Sequence, residues 1–99
     1  MRKFKIIFSP EALADLKEAK KWYNLQQKGL GEKLVEDVRN ATAATKKNPY
    51  HASEKYNFVR MASCKIFPYA LHYVIDVEQL LVRVTAVFHF SRKPFWMEG

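Results

Sequence analysis

The sequence predicts an α+β fold: a first strand, a two-helix hairpin, then a mostly antiparallel sheet of three or so further strands, with both helices on one face. Three observations carry this. The hydrophobic period is near two in residues 3–8, helical from about 10 to 47, and near two again from residue 56 onward. A Gly-Leu-Gly break divides the helical stretch, leaving a link so short that the two helices must run antiparallel. The later segments are rich in Val, Ile, Phe and Tyr, residues that suit a pleated, half-buried surface.

Each element has its own signal. Phe4, Ile6 and Phe8 alternate with Lys3, Lys5 and Ile7, the pattern of a strand with one face buried. Ser9-Pro10-Glu11 opens the first helix: the serine caps the orphan amides, the proline suits the first turn, and the glutamate meets the positive end of the dipole. Ala12, Leu16, Ala19 and Tyr23 form its apolar stripe, widened by Leu13 and Trp22. Gly29-Leu30-Gly31 ends that helix and begins the next, whose stripe is Leu34, Val38, Ala41 and Thr45 with Leu30 one turn earlier. Lys46 and Lys47 favour its C-terminus, and Asn48-Pro49 stops it.

Strand character follows in 57–61, 65–67, 69–75 and 80–89. The turn at Asp76-Val77-Glu78-Gln79 predicts a register pairing 75 with 80, 73 with 82, 71 with 84 and 69 with 86. The helix-facing side would then hold Tyr69, Leu71, Tyr73, Ile75, Leu80, Val82, Val84, Ala86 and Phe88. The other side would hold His72 opposite Arg83 and Ala70 opposite Thr85, with His89 further along. That second face is only partly apolar, so it is where a partner or substrate is expected.

Composition sets the bounds. Ninety-nine residues make a single domain over 1–99, and 48% apolar residues supply a core without staples. Cys64 is the one cysteine, which excludes an internal disulfide and reads as a small buried hydrophobe in a reducing cytoplasm. Met-Arg-Lys is followed by too few apolar residues for a signal core or a membrane span, so no membrane association is expected. The net charge of +7 favours an acidic partner. It is spread along the chain as +3 in residues 1–10, +2 in 11–47 and +2 in 48–99, so a basic patch must be assembled by folding.

Chemistry is sparse. There is no glycine-rich phosphate loop, no paired-cysteine zinc spacing and no serine elbow, and His51, His72 and His89 are too scattered for a metal site. Neither metal nor cofactor is expected. The six carboxylates of residues 11–37 sit among lysines and read as solvated helix faces. What remains is the tail from Phe88 to Trp96, with Arg60, Lys65, His72 and Arg83. Arginine holds a phosphate oxyanion bidentately, histidine moves a proton near neutral pH, and an exposed tryptophan stacks on a base. Metal-free RNA cleavage needs little more. The bland alternatives are a hydrogen-bonded His89 at a strand end, an Arg83 that only solvates the sheet, and a Trp96 that seals the core edge.

The order and spacing of several short features resemble the RelE/ParE superfamily of bacterial toxins, the toxic halves of type II toxin–antitoxin pairs. They are Phe8-Ser9-Pro10-Glu11-Ala12, Trp22-Tyr23, Gly29-Leu30-Gly31, Asn48-Pro49, Val59-Arg60, Phe67-Pro68-Tyr69 with Tyr73, and His89 through Arg92 to Pro94 and Trp96. The resemblance covers nearly the whole chain and implies a growth-inhibiting toxin neutralised by a cognate antitoxin. RelE-like members cut messenger RNA on the ribosome; ParE-like members inhibit DNA gyrase. The ribonuclease members carry lysines where this chain has Tyr56 and Phe58, and an arginine where it has Ala70. Arg92, or loosely His89, meets their late arginine; Trp96 meets their C-terminal tyrosine; Arg60 meets a widely shared arginine. With much of the cleavage equipment missing, the expectation is a gyrase inhibitor. The alternatives are a metal-independent ribonuclease with His89, Arg92 and Arg60 as its catalytic set, and a non-toxic relative that only binds its partner. Arg83, Lys65, His72 and Trp96 are the residues expected at the target surface.

Overall fold

The computed structural model of the chain describes residues 3–90. Its elements run β1 (Lys5–Phe8), α1 (Pro10–Gln26), α2 (Leu30–Lys47), β2 (Glu54–Tyr56), β3 (Val59–Ser63), β4 (Tyr69–Asp76) and β5 (Leu81–His89). The five strands form one sheet in the order β1-β5-β4-β3-β2; β1 runs parallel to β5 and every other pairing is antiparallel. The expected α+β class and the helices on one face are both present.

The helices begin and end for the anticipated reasons. Ser9 Oγ accepts from the Ala12 amide at 3.0 Å, and Pro10 is the first residue of α1. Gly29 takes a left-handed φ of +89°, which reverses the chain into α2. A Cβ at Gly31 would collide with the Lys20 carbonyl oxygen, so only glycine lets the hairpin close here. Asn24 holds the same junction, its Oδ1 accepting from the Gly31 amide at 2.8 Å and its Nδ2 donating to Glu32. Ala12, Ala19, Leu34 and Val38 are buried against Leu71, Tyr73, Val82, Val84 and Val87 of the sheet.

Three expectations about the strands need correction. Residues 65–67 are a loop, not a strand, and the strand predicted over 57–61 begins only at Val59: Asn57 and Phe58, with φ values of +40° and +67°, make the two-residue turn between β2 and β3. The β4–β5 register is also longer than predicted. Asp76 pairs with Leu81, Ile75 with Val82 and Tyr73 with Val84, around a four-residue loop, 77–80. Asp76 Oδ1 accepts from the Gln79 amide, which tightens that loop beyond what a bare hairpin would allow. Because the shift is by two residues, the faces near the turn keep their predicted sense.

Beyond Thr85 they do not. A bulge lies opposite the step from His72 to Tyr73, so that His72 pairs with Ala86, Leu71 with Val87, Ala70 with Phe88 and Tyr69 with His89. One extra residue swaps sides: Val87 enters the core, while Ala86 and Phe88, predicted to face the helices, lie on the other side with His72. His89 moves the opposite way, onto the helix-facing side beside Tyr69.

Candidate functional site

The side of the sheet away from the helices carries a closed aromatic cluster. Tyr56 of β2 hydrogen-bonds His72 Nδ1 at 3.0 Å, and the Phe88 ring meets the imidazole edge-on at 5.1 Å. His72 is only 1% exposed, and burial holds its pKa below the ordinary value. Sealed in this way, the imidazole anchors β2 to β4 and has no route to a substrate phosphate. Its predicted neighbour, Arg83, is elsewhere: it pairs with Val74 and reaches Asp76 at 3.9 Å.

Arg60 lies opposite Tyr73 and so shares the helix-facing side of the sheet. Its guanidinium is held three ways, by the Glu54 carboxylate at 3.5 Å, by the Ala52 carbonyl oxygen and by the Tyr50 ring 5.2 Å away. His89 is on the same side but opposite Tyr69, four residues along β4 and on its other flank. Strand rise and spacing put the two backbones roughly 17 Å apart. Arg83 is six residues from His89 along β5, roughly 20 Å, and faces the other way. Lys65 stands alone on the loop after β3, with its side chain along a groove beside α2.

The structure therefore does not bring the candidates among the described residues into one centre. Arg60, His72, His89, Arg83 and Lys65 occupy five separate positions. Arg92 and Trp96 lie outside the described residues. Among the described residues no group of His, Cys, Asp and Glu side chains could hold a metal ion.

Two residues that sequence reading treated as solvated matter more to the fold. Asp37 is 3% exposed, and its carboxylate accepts from the backbone amides of Lys65, Ile66 and Phe67 at 2.7–3.2 Å. Asp15 accepts from the Val87 amide at 3.1 Å, just past the bulge, and desolvation is the first cause that raises its pKa. A signal for both was present: Asp15 follows Ala12, and Asp37 follows Leu34, by three residues on the buried stripe. Cys64 matches its reading as a buried hydrophobe; desolvation, with the nearby Asp37 charge, pushes its thiol up to about 12.

The family profile described as "ParE toxin of type II toxin-antitoxin system, parDE" matches residues 6–94. The chain belongs to this family. Solved structures share its fold. The chromosomal ParDE toxin–antitoxin system of P. aeruginosa superposes with a TM-score of 0.77 at 12% identity, covering 88% of this chain and 96% of that one. The intact E. coli RelBE toxin–antitoxin complex gives 0.67 at 17% identity over 92% and 100%. A RelBE toxin–antitoxin complex of Mycobacterium tuberculosis gives 0.64 at 20% identity over 90% and 93%. A search of curated proteins finds no match. Membership makes the chain a toxin of a type II toxin–antitoxin system. No helix among the described residues is long and apolar enough to cross a membrane.

Proposed function

We propose that this ParE-family toxin acts as a non-enzymatic inhibitor of DNA gyrase in the cytoplasm and is held inactive by an antitoxin encoded beside it. The observation that carries the reading is the dispersal of the cationic and titratable groups. Cleavage of RNA without a metal needs a base, a phosphate-binding cation and an acid around one phosphate. Arg60 is committed to Glu54, Ala52 and Tyr50, and His89 stands roughly 17 Å from it across the sheet. Tyr56, Phe58 and Ala70 occupy places where the ribonuclease relatives carry cations. A surface built this way suits protein binding better than phosphoryl chemistry. The antitoxin half of the proposal draws on the structural relatives, whose solved forms include ParDE and RelBE toxin–antitoxin complexes.

Expression of the chain alone in a bacterium should arrest growth, and co-expression of the neighbouring gene should restore it. In a supercoiling assay the purified toxin should inhibit gyrase, while cellular RNA sequenced after induction should show no new cleavage ends. New ends at ribosome-bound codons, lost by orders of magnitude in His89→Ala, would replace the gyrase reading with a ribonuclease built on His89 and Arg92. Silence in both assays, with the antitoxin still bound, would mark a relative that has lost its toxicity.

A further inference from the structure

Among the described residues three non-glycine positions take a left-handed φ: Asn57 at +40°, Phe58 at +67° and Leu80 at +51°. An L side chain crowds its own backbone there, so such a residue persists where something else is gained. Asparagine tolerates the conformation. Leu80 is partly buried, and its carbonyl oxygen accepts from the Lys5 amide at 2.9 Å, so its strain serves the join between β1 and β5. Phe58 is different. It fills the second place of a two-residue hairpin turn, where glycine is favoured, and its side chain is 77% exposed. The ring returns little to the fold.

The hairpin that carries this ring is held on both faces. β2 has only three residues, and a hairpin so short is marginal by itself. On the side of the sheet away from the helices, Tyr56 hydrogen-bonds the buried His72 at 3.0 Å. On the helix-facing side Arg60, which pairs with Glu54 across the ladder, is held by that carboxylate, by the Ala52 carbonyl oxygen and by the Tyr50 ring. A buried histidine and an arginine held three ways thus keep a strained turn in place at the edge of the sheet. An aromatic ring on so firm a support loses little freedom on binding, which is the character of an interface anchor.

Charge selects the kind of partner. The charged residues of 54–60 are Glu54, Lys55 and Arg60, and the Arg60–Glu54 pair leaves one cation, Lys55, near the turn. A strand of nucleic acid is held by a groove of several cations as well as by stacking. A phenyl ring with a single cation nearby fits an apolar pocket of a protein instead.

We propose that Phe58 anchors this toxin to its target protein, its ring entering an apolar pocket there. The proposal rests on reading the toxin as an inhibitor of a protein, gyrase, and adds to it the residue that makes the contact. It also accounts for the strain, because glycine at position 58 would suit the turn and lose the contact.

Turn and contact make opposite demands on this position, and Phe58→Gly separates them. In the full chain it should raise the toxin concentration for half-inhibition of supercoiling about thirtyfold. Its urea midpoint should stay level or rise, since glycine relieves the left-handed strain. Phe58→Leu keeps an apolar knob and should inhibit within about fivefold of wild type. Inhibition by Phe58→Gly equal to wild type would overturn the proposal. So would a fall in its urea midpoint large enough to account for the lost inhibition, since the ring would then be holding the fold. Cleavage of RNA by the wild type, reduced in Phe58→Gly, would overturn it as well. Growth arrest at equal soluble expression keeps the target reading apart from the anchor. If the wild type arrests growth without inhibiting gyrase, the gyrase reading falls; loss of arrest in Phe58→Gly then supports the anchor on another protein, and full arrest overturns it.

Discussion

Asp37 and Asp15 occupy comparable positions on two neighbouring helices, yet they hold the sheet to different degrees. Asp37 is almost wholly buried and gathers three backbone amides of the β3–β4 loop. Asp15 collects one amide, that of Val87, where β5 resumes after its bulge. In both places the sheet has left its regular ladder, and a carboxylate from the helix layer takes over the orphan donors. The number of donors explains the difference. A buried carboxylate with three amides has its charge compensated by hydrogen bonds. At half-buried Asp15 desolvation outweighs the single amide and raises the pKa, aided by Glu18 and Glu11.

That contrast can be broken by mutation. Asp37→Ala should produce the largest effect, about 3 kcal/mol lost in urea unfolding, since it strands three amides at once. A loss under 1 kcal/mol would mean that water replaces the carboxylate easily. Asp15→Ala should cost about 1 kcal/mol, the worth of one hydrogen bond to a charged group in a half-open setting. Equal losses at the two positions would remove the distinction.

The pH dependence sharpens it further. A carboxyl whose folded pKa is raised stays protonated in the folded state after the unfolded chain has released its proton. From below, stability is unaffected until the unfolded value of about 3.8 is reached; it then declines as pH rises to the raised folded value, and is level above that. The difference between wild-type and Asp15→Asn stability curves should show this decline between pH 3.8 and the folded pKa. A difference that instead grows with pH there would refute desolvation as the dominant cause.

The smallest effect concerns Cys64, whose thiol sits near Asp37 and is raised to about 12 mainly by burial. Alkylation by iodoacetamide at pH 8 should lag far behind an exposed thiol. Asp37→Asn should speed it a few-fold, provided that urea unfolding shows the fold retained, because it removes the secondary, coulombic cause only.

Both aspartates also show where sequence reading stopped. The helices were legible in outline: Ser9 caps, Pro10 opens α1, and the stripes through Ala12 and Leu34 pack as their spacing requires, although α1 stops at Gln26 and Leu13 and Trp22, read as widening its stripe, stay exposed. These are local signals, complete within a few residues of chain. The strands were legible in kind, and the two-residue alternation near the 77–80 loop survived an error in its register. The bulge was not legible, because its cause is remote: the Asp15 carboxylate, 72 residues earlier, holds the Val87 amide, and Ser9 Oγ reaches the Thr85 carbonyl oxygen at 3.3 Å.

The candidate site divides the same way. Sequence reading selected Arg60, His72, His89, Arg83 and Lys65 for their chemistry, but composition cannot tell a guanidinium clamped by Glu54 and Tyr50 from one ready for phosphate. Nor can it tell that one added residue at the bulge carries His89 across the sheet. By itself the sequence determined the α+β class, the capped helical hairpin and the chemistry available, since propensity, capping and periodicity act over short spans. Tertiary structure alone decided which of those groups meet and which carboxylates are buried. Those outcomes depend on strand register and on contacts between residues dozens of positions apart, and a single-residue step is enough to turn every later side chain to the opposite face.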